Sequence, residues 1–330
     1  MIPISILDLS PIKQDQSISQ SFAESSALAK TADELGFNRY WFAEHHNIPS
    51  VASAATAVLI GHIAGQTSRI RVGAGGIMLP NHAPLTIAEQ FGTLEAIYPG
   101  RTDLGLGRAP GGDMNTARAL RRTMHGSDDS FPRDVLELLE YFKTHDAPRP
   151  VIAIPGEGAN VPVWILGSSL FGAQMAAHYG LPYAFASHFA PQMLEEAVHA
   201  YRTGFRPSEY MDQPYFMMAC NVVAADTDDE AKLIFTSQQQ AFINLRTGNA
   251  GPVPPPNPNF IPPPGGQAVL DSVLRYSAVG SAETVKARLS SFIDQVKPDE
   301  LIMSASGYTL DARRRSLALV SETMGLNQPS

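Results

Sequence analysis

From end to end, this chain of 330 residues alternates short β-rich runs with helical patterns. PISILDL (3–9), RYWFA (39–43), IRVGAGGIML (70–79), RTDLGLG (101–107), VPVWILG (161–167), LPYAFAS (181–187), PYFMMACNVVAAD (214–226) and DELIMSA (299–305) read as strands. Helical patterns follow at 21–36, 52–66, 83–97, 132–143, 169–180, 191–205, 228–246, from Ser281, and at 311–324. Buried-looking strands that each lead into a helix imply a parallel sheet. Eight such units predict an α/β fold of the (β/α)8 TIM-barrel type, with residues beyond roughly 250 placed in loops. A doubly wound sheet is the alternative. No boundary divides the chain, so residues 1–330 are expected to form one domain.

Composition narrows the function. Apolar residues make up 44% of the chain and charged residues 17%, enough for a large globular core. A formal charge of −8 argues against a nucleic-acid surface, which needs Lys and Arg to neutralise phosphates. One cysteine, Cys220, rules out an intrachain disulfide framework and fits a reducing compartment. Lying inside a strand, it reads as a small buried apolar residue rather than a nucleophile. MIPISILDLSPIKQDQ lacks the basic start of a signal peptide, and no apolar run is long enough to span a bilayer. A cytoplasmic protein with no membrane partner is expected.

In a barrel the chemistry gathers at the C-terminal ends of the strands. YWFAEHHN (40–47) ends strand two on Glu44, His45 and His46, in a chain with nine histidines. Either a Glu–His hydrogen bond fixes a polar turn, or a histidine enters the active site; the position favours the second. A metal centre is not expected, because neither HxH nor HExxH occurs and SILDL on strand one carries no histidine pair. After strand three, Gly73, Gly75 and Gly76 leave bare backbone, suited to a strand bulge or to close approach by a planar ring. GLGRAPGGD (105–113) places Arg108 just past strand four, although its spacing is not that of a dinucleotide fingerprint. Gly167, Ser168 and Ser169 end strand five and open a helix, either as an N-cap or as an anion site. An arginine and two serines on one rim favour a phosphate. ASHFAP (186–191) adds His188 and Phe189, to line the pocket or cap the next helix. The segment TGNAGPVPPPNPNFIPPPGGQ (247–267) is too Pro-rich for an ordinary connection, and a lid is favoured over a disordered insertion.

Together YWFAEHHN, VGAGGIMLPNHAPLTIAEQFGTLEAIYPGRTDLGLGRAPG and VPVWILGSSLFGAQMAAHYGLPYAFASHF resemble the bacterial luciferase-like monooxygenase family over nearly the whole chain. The resemblance implies a (β/α)8 barrel that uses reduced FMN, or the deazaflavin F420 in some branches. It implies that His45 is catalytic, with Glu44 orienting it. Arg108 and Ser169 would bind the cofactor phosphate, with Ser168 and Gly167 beside them and His188 lining the same pocket. Ala74, Gly75 and Gly76 would face the isoalloxazine ring across a cis Gly75–Gly76 bond. The reactive cysteine of luciferases is Gly107 here, which argues against light emission. The implied reaction takes reduced FMN from a separate flavin reductase, adds O2, and oxygenates a small organic substrate through a C4a-(hydro)peroxyflavin. A non-catalytic flavin-binding protein and a metal-dependent hydrolase are the other readings. The helix at 52–66, rich in Ala52, Ala54, Ala55, Ala57, Gly61, Ala64 and Gly65, matches the region through which family dimers pack, and a homodimer is expected.

Overall fold

Parallel pairing closes the strands into a ring. Among the described residues the strands are β1 (Ile4–Asp8), β2 (Arg39–Phe42), β3 (Arg71–Met78), β4 (Thr102–Gly107), β5 (Val163–Gly167), β6 (Tyr183–Phe185), β7 (Phe216–Ala224), β8 (Ser277–Gly280) and β9 (Glu300–Ala305). The barrel runs from β1 to β7 in order, then through β9 back to β1, so eight strands close it. β8 stands outside the ring and pairs with the far end of β7, from Asn221 to Ala224. The structure is a computed structural model describing residues 2–109, 114–120 and 130–326. Pro110 to Asp113, the end of the GLGRAPGGD motif, lie outside the described residues.

Helices surround the ring: α1 (Ile18–Glu34), α2 (Thr56–Ala64), α3 (Pro84–Ile97), α4 (Met114–Leu120), α5 (Phe131–Tyr141), α6 (Leu170–Tyr179), α7 (Leu194–Gly204), α8 (Asp228–Arg246), α9 (Gly266–Val273), α10 (Ala282–Val296) and α11 (Leu310–Met324). Their ends follow local chemistry. Ser17 and Gln20 form a capping box at α1, and Thr227 and Thr309 accept backbone N–H bonds at the starts of α8 and α11. Gly180 ends α6 at φ 62°, where a side chain would also strike the Arg206 carbonyl. α2 begins four residues later than its small-residue pattern suggests. Ala52 spends its N–H on the Ser10 carbonyl, and Ser53 donates to Ala43 at 2.6 Å, so these residues belong to the rim. β8, α4 and α9 are additions to the sequence-based expectation.

Two packed layers result. The larger core lies between the strands and the helices, where Ile6, Phe42, Val72, Leu104 and Phe91 are fully buried. The second fills the bore: Trp41 meets Trp164 edge to face at 5.2 Å, with Leu7, Met217 and Ile302 around them. The N-terminal mouth is plugged by charge. Arg39 bonds Asp103 at 2.7 Å and Glu300 at 3.1 Å, while Arg71 reaches Asp103 at 2.6 Å. Tyr215 and Ser5 add further hydrogen bonds to Glu300. A buried network of this kind is satisfied as a unit, which makes this end a structural floor. No helix among the described residues is long and apolar enough to cross a membrane.

Candidate active site

The opposite, C-terminal rim collects the residues singled out from the sequence. His45 follows β2, Gly75 and Gly76 lie in the last part of β3, Arg108 follows β4, Gly167, Ser168 and Ser169 end β5, and His188 follows β6. These are five adjacent strands of the ring, so the residues occupy one continuous arc.

The two histidines stand at opposite ends of this arc, His45 after β2 and His188 after β6, near enough for one to act on the other. Each has a buried Nδ1 with no hydrogen-bond partner. Burial pushes the His45 imidazole below its ordinary value; the Ala43 carbonyl and the Glu44 charge oppose the shift, and His46 adds to it. Burial and the nearby His45 lower His188 to about 4. Both rings are therefore neutral at pH 7, and each can accept or relay a proton. The helix after β6 starts only at Leu194, so His188 does not cap it; its ring instead meets Phe189 at 4.7 Å.

Glu44 plays a different part from the one expected. Its carboxylate accepts from His46 at 2.8 Å, His82 at 2.9 Å, the Met78 N–H at 2.9 Å and Asn81 at 3.3 Å. None of its hydrogen bonds goes to His45. Burial alone would raise the carboxyl; the bonds from His82, His46 and Met78 outweigh it and hold Glu44 below its usual range. The Glu44 N–H also donates to the Gly76 carbonyl at 2.9 Å. Glu44 is thus a clamp joining the end of β2 to the loop after β3, and His82, which completes it, was not singled out from the sequence.

The Gly75–Gly76 peptide is cis, and the β3–β4 register shifts at the same place. The glycines have partners within the barrel. A Cβ on Gly76 would stand 2.6 Å from the Gly105 carbonyl oxygen, and one on Gly75 would meet Trp41 at 3.0 Å and Leu7 at 3.2 Å. Packing against β4 explains Gly76 without any ligand. The nearest atoms to the Cβ position of Gly75 all belong to side chains.

Between the two histidines, past β4, the exposed Arg108 lays its guanidinium over the Phe171 ring at 4.3 Å. Phe171 lies in the first turn of α6. Ser169 holds the N-cap position there, but its hydroxyl makes no capping bond, and the first-turn N–H groups have no side-chain cap. The simple N-cap reading of Ser169 is therefore replaced by an open helix N-terminus beside a stacked arginine, which suits a phosphate. Cys220 is fully buried in β7, its thiol pushed up to about 12 by burial, as expected of a packing residue. Among the described residues no three His, Cys, Asp or Glu side chains gather to hold a metal ion.

A closed parallel (β/α)8 barrel that gathers histidines, bare strand backbone and an uncapped helix N-terminus along its C-terminal rim defines an enzyme-like barrel. Residues 2–296 match the luciferase-like monooxygenase family, and the chain belongs to it. A luciferase-like monooxygenase of Escherichia coli (strain K12) is 48% identical over 97% of this chain and 96% of its own length. Crystalline apo-MsnO8 superposes with a TM-score of 0.89 at 32% identity, covering 100% of both chains. The oxygenating constituent of 3,6-diketocamphane monooxygenase from Pseudomonas putida, a type II Baeyer–Villiger monooxygenase in complex with FMN, gives a TM-score of 0.74 over 97% of each chain. At 19% identity that last likeness shows the fold alone.

Proposed function

We propose that this protein is a flavin-dependent monooxygenase that uses reduced FMN and O2 to oxygenate a small organic substrate. One observation carries the reading: Arg108, stacked on Phe171, stands beside the uncapped N-terminus of α6 on the same arc as two neutral buried histidines. The residues fit the cofactor. Arg108, Ser168, Ser169 and the first N–H groups of α6 would hold the phosphate; Gly167 leaves room beside them, and Ala74, Gly75 and Gly76 would face the ring. When bound, the flavin supplies the electrons and activates O2 for transfer to the substrate. His45, neutral at pH 7 with a free Nδ1, would take up or return a proton at that atom. His188, its Nδ1 buried at the other end of the arc, would help keep water from the site. Glu44 acts at one remove, holding the β2 and β3 ends at fixed spacing. A separate flavin reductase would supply the reduced flavin.

Anaerobic titration with reduced FMN, FAD and F420, followed by admission of O2, tests this. Arg108→Ala should weaken reduced-FMN binding by about ten- to a hundredfold, the loss of one charge-assisted contact, and affect riboflavin much less. His45→Ala should bind FMN nearly as well as the natural chain but slow turnover or release more hydrogen peroxide. Binding of F420 in preference to FMN would sink the FMN assignment, and equal losses for FMN and riboflavin would move Arg108 away from the phosphate.

A further inference from the structure

Past the ends of β1 and β9, walled also by α8 and by Arg313 of α11, lies a cavity of about 170 Å3 that the flavin residues do not enter. That is several times the room a water needs. Three polar groups in its wall lack partners: Arg313 Nη1, Ser237 Oγ and Gln238 Oε1. Arg313 is 2% exposed and Ser237 3%. A native fold rarely leaves such groups unsatisfied, so something polar is expected to meet them.

Their chemistry can be read from the bonds behind them. Asp8 accepts from Arg313 Nη2 at 2.8 Å, so the guanidinium is already neutralised and the cavity has no excess positive charge. The orientation of Gln238 is fixed from the protein side. The His188 carbonyl can only accept, so Asn221 presents its Nδ2 to it at 2.7 Å and turns its Oδ1 toward Gln238. Gln238 therefore donates its Nε2 to Asn221 at 2.7 Å and leaves its Oε1 as an acceptor. The cavity thus offers a neutralised donor from Arg313, a fixed acceptor from Gln238 and a hydroxyl that can play either part. A carboxylate would satisfy Arg313 but face the Gln238 oxygen.

The cavity also adjoins the proposed ring site. Leu7 lines it, and the same side chain lies 3.2 Å from the Cβ position of Gly75. Leu9, Ala241 and Val253 give it an apolar side. Val253, from the Pro-rich segment, is stitched to the loop after β1: its N–H donates to the Ile12 carbonyl at 2.8 Å and its carbonyl accepts from Gln14 at 3.0 Å.

We propose that this cavity is the substrate-recognition subsite and that it takes an uncharged group with both a donor and an acceptor, of the amide class. This deepens the monooxygenase reading and rests on it for the word substrate. The amide oxygen accepts from Arg313, its N–H donates to Gln238, and the apolar remainder lies along Leu7 toward Gly75.

The test uses the flavin-free protein with N-methylacetamide, its isostere methyl acetate, and sodium acetate, followed by ligand-observed NMR titration and crystal soaking. N-methylacetamide should occupy the cavity between Arg313 and Gln238 and bind about tenfold more tightly than methyl acetate, which lacks the donor. Ser237→Ala and Gln238→Met, checked for folding by thermal melting, should each reduce that preference. Equal binding of amide and ester, preference for acetate, or ordered water alone in the cavity would each overturn the proposal. Because no flavin is present, these outcomes are independent of the cofactor reading. Failure of reduced-FMN binding with amide binding intact would sink the monooxygenase reading alone.

Discussion

His188 carries a titration that should be visible in the stability of the protein. Its folded pKa is about 4 against an ordinary value of 6.5, so below pH 6.5 the unfolded chain binds a proton that the folded ring refuses. The contribution is fully present above pH 6.5 and is lost as pH falls toward 4. At most about 2 kcal/mol of it falls between pH 6.5 and 5, less to the extent that solvent reaches the ring. Glu44 acts with the same sign but lower, because its folded carboxyl is depressed and its stabilisation is lost only as pH drops below the ordinary carboxylate range. His188→Gln should therefore flatten the loss of unfolding free energy between pH 6.5 and 5, measured by urea denaturation at each pH. An unchanged slope would remove His188 as the group responsible. Residues such as His45, Arg108 and His188 were legible because strand ends mark the rim of a barrel. The partners that tune them were not. His82 reaches Glu44 across 38 positions and Arg313 reaches Asp8 across 305, and no local pattern records pairings that only closure of the ring creates.

β3 shows how one element can serve packing and ligand together. The bare stretch at Gly75 and Gly76 suits a flat ring, yet most of its bareness is required inside the barrel, where β4 and Trp41 press against it. The two glycines should separate experimentally. Gly75→Ala places its Cβ against side-chain atoms at 3.0 to 3.3 Å, which can yield slightly. Gly76→Val drives its Cβ to 2.6 Å from a carbonyl oxygen of β4, which cannot yield without moving the strand. Gly76→Val should cost about 1–3 kcal/mol of unfolding free energy, the usual penalty for overpacking, while Gly75→Ala stays close to the natural chain and reports on ring contact through FMN affinity. Equal stability of the two variants would show that the crowding at Gly76 is relieved some other way. The eight barrel strands could be read from apolar runs, since a parallel strand is buried on both faces. β8 could not: SAVG is four residues long, begins on a serine and ends on a glycine, and gains its identity only from the overhang of β7.

At the scale of the whole molecule, a homodimer is proposed on different grounds from those that first suggested it. Gly61 on α2 and Gly65 just after it face the end of α3 in their own barrel, 3.3 Å from Leu94 and 2.9 Å from Tyr98 at their Cβ positions, so these two glycines serve internal packing. The outward face beside them is more telling. Val58 on α2 is 72% exposed, Ile97 at the end of α3 is 59% exposed, and Ile154, in the loop that packs on α3, is 71% exposed. Three large aliphatic side chains exposed on two neighbouring helices and the loop against the second suit burial by another surface. We propose that a second copy of this chain covers them. Sedimentation at micromolar concentration should give a dimer of the 35.5 kDa chain, and the paired change Val58→Asp with Ile154→Asp should give a folded monomer. Neither residue is among those assigned to the flavin, so the monomer should keep its affinity for reduced FMN. A natural chain that sediments as a monomer, or a doubly substituted chain that remains a dimer, would place the interface elsewhere or remove it.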